Sequence, residues 1–131
     1  MSDKRDRARA VPPSVAAMVE SVLGCKWSLR ILDLVRRDIR RPGAMERATP
    51  GLSAKVLNER LSKLVRFGVL DREVFAEIPP RVEYSLTPFG ARFVAILEHI
   101  QALQRELQGG SLAPPREARD NAPRRGTTGP A

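Results

Sequence analysis

The sequence predicts a mainly α fold carrying one small β-hairpin wing, an α+β arrangement, and three observations predict it. Apolar residues recur at helical spacing in several separate segments. Two later runs have strand character and flank a proline-rich tip. A long apolar seam then closes the patterned part of the chain, whose 131 residues suffice for one modest core.

The first element runs from Ser14 to Leu23, where Val15, Met18, Val19 and Val22 fall at i, i+3, i+4 and i+7, and Gly24 ends it. A second helix is expected over Trp27–Arg37, on Leu29, Ile31, Leu32, Leu34 and Val35, with Trp27 anchoring it to the first. One or two turns over Ala44–Thr49 stop at Pro50-Gly51. Ser53 is a good N-cap for the next helix, which ends at Gly68. There Ala54, Leu57, Leu61, Leu64, Val65 and Phe67 form an apolar stripe, and Lys55, Asn58, Glu59, Ser62, Lys63 and Arg66 lie opposite.

Val69–Ala76 and Arg81–Leu86 read as strands, and in the second Val82, Tyr84 and Leu86 alternate with Arg81, Glu83 and Ser85. Glu77-Ile78-Pro79-Pro80 between them lacks two backbone donors and reads as the hairpin tip. Thr87-Pro88 reads as the N-cap and first position of a long final helix. Its residues Phe89, Phe93, Ile96, Ile100, Leu103 and Leu107 are spaced 4, 3, 4, 3, 4. Such a helix outruns a small core, so its far end needs another surface, most simply a second copy of the chain. The expected dimer contacts are Val15, Met18 and Val22 with Phe93, Ile96, Ile100, Leu103 and Leu107. Residues 1–11 read as a flexible arm and 109–131 as a disordered tail, which leaves 12–108 as the folded domain.

The order of these elements is that of a winged helix-turn-helix domain. The net charge is +8, and Arg36 to Arg66 alone holds nine basic residues against three acidic ones. A basic block inside a structured segment is the footprint of a polyanion partner, here double-stranded DNA. The major groove admits one α-helix, and Lys55, Asn58, Glu59 and Ser62 suit its base edges: Asn reads adenine, Lys reaches guanine, Glu accepts from cytosine. Arg40, Arg41, Arg47, Lys63 and Arg66 suit phosphates, and Arg81 beside the stiff tip suits the adjacent minor groove.

Other classes fit less well. There is no Ser-His-Asp set, glycine-rich phosphate loop or paired carboxylate site, so no enzyme and no cofactor is expected. One cysteine and one histidine make no zinc set. No apolar run reaches the roughly 20 residues of a membrane span, and the start lacks a signal's apolar core, so the chain reads as cytoplasmic. RNA binding would need aromatic platforms, which are scarce here. A protein-interaction adaptor on the same scaffold is the alternative, which the basic block disfavours.

The segments VLGCKWSLRIL, RATPGLSAKVLNERLSKL and EIPPRVEYSLTPFG resemble the HxlR-type bacterial regulators over about residues 14–104. The resemblance implies a homodimer built from the first and last helices, binding roughly palindromic promoter sites. It places Ser53, Lys55, Asn58, Glu59 and Arg60 on the recognition helix, and Pro79, Pro80 and Arg81 on the wing. Cys25 departs from the family, which usually has glycine there, and no cysteine precedes the first helix. Pro42-Gly43 is a second departure, one that alters the start of the short helix. Cys25 has two readings: a redox-responsive thiol whose pKa Lys26 lowers, or a small residue filling a turn. A dimer of long apolar helices also leaves room for a small-molecule effector, which no residue identifies.

Overall fold

In the computed structural model, which describes residues 13–110, each apolar period becomes an element. Ser14 caps α1 (Val15–Leu23), its hydroxyl accepting from the Ala17 N–H at 3.0 Å and so satisfying one orphan donor of the first turn. α2 (Lys26–Arg36) follows after Gly24-Cys25, with Cys25 in the extended N-cap conformation. α3 (Pro42–Ala48) starts two residues before the expected Ala44. Pro42 occupies its first turn, where a fixed φ fits and the missing N–H is not needed. α4 (Ala54–Arg66) is capped by the Ser53 hydroxyl, which accepts from the Val56 N–H at 3.1 Å. It closes at Phe67, and Gly68 follows at φ 79°.

β1 (Leu70–Phe75) and β2 (Arg81–Leu86) pair antiparallel, from Leu70 opposite Leu86 to Phe75 opposite Arg81. On the other side of β2 the Tyr84 N–H donates to the Arg40 carbonyl at 2.9 Å, so the α2–α3 connection lies along that edge. The corner that brings it there is Asp38 at φ 71°, a left-handed conformation in which Asp and Asn are enriched. α5 (Pro88–Gln108) opens at Thr87, whose hydroxyl oxygen accepts from the Gly90 N–H at 2.7 Å. The same hydroxyl donates to the Gly68 carbonyl, tying the helix start to the end of α4.

The chain divides into two units between Leu97 and Glu98, within α5. The core belongs to the first. Ile31, Leu34, Met45, Leu57, Leu61, Val69 and Phe93 are among its fully buried side chains, each worth about 1.5–3 kcal/mol for the larger apolar groups. Trp27 packs against this cluster, as expected of an anchor. In the second unit the helix continues from Glu98 to Gln108 with Ile100 and Leu103 exposed and Leu107 half-buried.

Three expected dimer contacts turn inward. Met18, Val22 and Phe93 are 6%, 1% and 1% exposed and belong to the core, because the apolar faces of α1 and α5 are needed there. Val15 (44%) and Ile96 (43%) do face solvent, and so does Phe89. α5 thus carries two apolar stripes, not one. Within the first unit Gly90, Phe93, Val94 and Leu97 form the buried stripe, and Phe89 and Ile96 stand exposed about 100° round the helix from it; in the second unit Ile100 and Leu103 are exposed. The expected arm, 1–11, and residues 111–131 of the expected tail lie outside the described residues. Among the described residues no helix is long and apolar enough to cross a membrane.

Candidate nucleic-acid interface

The Ser53 cap fixes where α4 starts, and its buried apolar side fixes which way the polar stripe faces. Leu57, Leu61 and Leu64 are buried, Val56 and Val65 pack beside them, and the helix is held by this apolar side. Ser53, Lys55, Asn58, Glu59, Ser62 and Arg66 stand exposed. Ala54, assigned to the apolar stripe, is exposed because it sits in the first turn, ahead of the packed stretch. Lys63 is half-buried, its Nζ 5.7 Å from the centre of the Phe67 ring. Arg60 is half-buried too, with its Nε shielded from water and unpaired among the described residues. It lies on α4, the helix that the resemblance assigned it to, beside the exposed stripe.

The arginines before α4 divide by partner. Arg40 is held by Asp38 at 2.6 Å. Arg41 and Arg47 flank α3, are exposed, and make no ion pair among the described residues. They line a cavity of about 260 Å³ together with Pro80 and Arg81 at the hairpin.

The hairpin forms as expected, but Arg81 has partners that spacing does not show. Arg81 pairs with Glu77 at 3.1 Å and Glu83 at 3.2 Å, and its guanidinium lies 4.0 Å from the Phe75 ring centre. Its guanidinium thus already has ionic partners within the wing, which a contact with a minor groove would have to exchange. At the tip Ile78 is fully exposed. Sequence reasoning passed over it, because no period claims a residue between two strands.

Cys25 stands at the start of α2 and is half-buried. Burial works to raise its thiol pKa. The Ser28 hydroxyl, the Ser28 and Trp27 N–H groups and the Arg60 charge together outweigh that and hold it below the ordinary thiol value. The sulfur nonetheless makes no well-formed capping hydrogen bond. Sequence reasoning credited Lys26 with lowering this pKa, but that ammonium lies over the Trp27 ring, 4.9 Å from its centre. The cation acting on the thiol comes from α4. Among the described residues no cluster of three or more His, Cys, Asp or Glu is placed to hold a metal ion.

Comparison with known proteins agrees with this geometry. A helix-turn-helix transcriptional regulator from Synechocystis is 43% identical over 79 residues, covering 60% of this chain and 58% of that relative's length. The helix-turn-helix regulator YtcD of Bacillus subtilis is 35% identical over 89 residues, covering 68% and 70%. A crystal structure of a MarR-family transcriptional regulator from Enterococcus faecalis superposes with a TM-score of 0.66 at 29% identity, covering 79% of this chain and 96% of that one. The reduced form of the transcriptional regulator YodB from B. subtilis gives 0.63 at 28% identity, covering 74% and 95%. The hairpin after α4 is therefore the wing of a winged helix-turn-helix fold. Residues 22–109 match the family described as HxlR-like helix-turn-helix. The chain belongs to the HxlR-like helix-turn-helix family, whose members matched here are transcriptional regulators and not enzymes.

Proposed function

We propose that the chain is a sequence-specific transcriptional regulator that binds double-stranded DNA as a homodimer, at a roughly palindromic promoter site in the cytoplasm. The observation that carries this is the exposed face of α4. Lys55, Asn58, Glu59 and Ser62 stand in solvent on a helix whose other side is locked into the core, so the reading groups are held without being used up. Arg41, Arg47 and Arg66 supply backbone contacts, which set affinity and register.

The dimer reading rests on apolar groups left in water. Val15, Phe89 and Ile96 stand exposed around an open cavity of about 500 Å³, and Ile100 and Leu103 are exposed further along the helix. A second copy laid against α1 and α5 covers such groups, and a small-molecule effector has room beside them. Redox modulation is supported by the lowered thiol of Cys25 and by the likeness to YodB, which has been crystallised in reduced and diamide-treated forms.

The test is capture of fragmented genomic DNA on the purified protein, followed by sequencing. Enrichment of a few fragments sharing an inverted repeat is expected. Uniform recovery that vanishes in moderate salt would leave only the general phosphate attraction, and the adaptor reading would take its place.

A further inference from the structure

We infer that Arg41 and Arg47 together seat a single phosphate group in the cavity between α3 and the base of the wing. In the DNA-binding reading above, on which this rests, that phosphate is one backbone phosphodiester of the bound duplex.

The cavity is lined by Arg41, Pro42, Gly43 and Arg47 on one side and by Pro80 and Arg81 on the other. Of the four arginines nearby, two have their charge satisfied. Arg40 is paired with Asp38, and Arg81 with Glu77 and Glu83. Arg41 and Arg47 are exposed and keep theirs free among the described residues. An arginine fork matches phosphate oxygens bidentately, so two forks on one cavity can share a phosphate. The Arg47 guanidinium lies beside Gly43, its Nη1 3.5 Å from where a Cβ on that glycine would stand. Pro80 is stiff, and Arg81 is fixed from three sides, so the opposite wall keeps its shape.

The wing's own charge does not draw it to such a partner. From Leu70 to Leu86 there are four acidic residues and only two arginines. A phosphate held by α3 at the wing's base docks it regardless, and sets where its tip, Ile78, falls on the duplex.

The experiment compares the intact protein with Arg41→Gln, Arg47→Gln and the double variant, and with Arg37→Gln as a control for lost charge. All replaced side chains are exposed, and thermal melts confirm folding. Affinity for a captured fragment and for random duplex is followed over a range of salt. One shared phosphate predicts that the double variant loses about 0.9 from the log–log salt slope on both duplexes, while each single variant, which keeps one arginine on that phosphate, loses less. A double variant losing about 1.8, the sum of two contacts, overturns the shared seat. So does an unchanged slope. Replacing backbone phosphates one at a time by neutral methylphosphonates should find one position per half-site that weakens the intact protein and leaves the double variant unaffected. Finding none overturns the assignment.

A free phosphorylated ligand has the same chemistry, so inorganic phosphate is also titrated into the DNA-free protein. Saturable binding lost in the double variant, with DNA affinity unchanged, overturns the backbone as the source. If the intact protein binds no duplex, the DNA reading fails by itself, and the titration then judges the seat: binding that the double variant loses supports it, and none overturns it.

Discussion

Asn58 stands in solvent on α4, one turn beyond the Ser53 cap, with a side-chain amide able to both donate and accept. Asn58→Ala should weaken binding to a captured fragment by about 1–3 kcal/mol while sparing random DNA, in paired affinity measurements. Equal loss on both would take Asn58 off the reading face. Cys25 makes a separate prediction. Because its pKa lies below the ordinary thiol value, the thiolate persists to lower pH than in a free cysteine. Its alkylation rate against pH should therefore have a midpoint below that of a free cysteine, and Ser28→Ala should move the midpoint up. An unmoved midpoint would remove Ser28 as the cause. Much at this scale was legible in the sequence: the Ser53 cap, and the exposed Lys55, Asn58, Glu59 and Ser62, follow from helical periodicity. Arg81 and Arg60 were not legible. Their environments depend on Glu77, Glu83 and Phe75 across the hairpin, and on the packing of α4 near the start of α2, and neither is a matter of spacing.

The elements were legible in type and order, and less so at their ends. Pro42 marks the start of α3, not a break before it, because proline costs nothing at the first turn. Periodicity alone merges the two stripes of α5 into one seam, because they adjoin and a spacing of 3 and 4 runs across both. Gly90 belongs to the buried stripe. A Cβ there would drive into the Val69 carbonyl, so the absence of a side chain is what lets the helix start pack on the backbone leading into β1. Gly90→Ala should cost at least about 1–3 kcal/mol, read as a lower denaturant midpoint at unchanged slope. A variant as stable as the parent would mean that this approach relaxes freely.

Across the whole molecule the sequence separates its duties by surface: a basic block around α3 and α4, an acidic wing, and apolar residues left outside on α1 and α5. Ile100→Asp probes the last of these. Ile100 is exposed in the single chain, so the substitution should leave the fold intact and act on association alone. Sedimentation should show a monomer, because a charge would be buried without a partner in an apolar contact. A variant that still sediments as a dimer would move the interface elsewhere. The separation of core from exposed apolar face could not be read from periodicity, since both draw on the same residue types; only burial distinguishes Phe93 from Ile96.

The hydrogen bond from Tyr84 to the Arg40 carbonyl has one more consequence. A two-stranded ribbon has two open rims, each able to recruit a strand from another molecule and so begin aggregation. On β2 that rim is partly closed by the chain's own α2–α3 connection. On β1 it carries Asp71, Arg72 and Glu73 in the exposed middle of the strand, charges that discourage stacking. Self-association through the sheet is thereby discouraged.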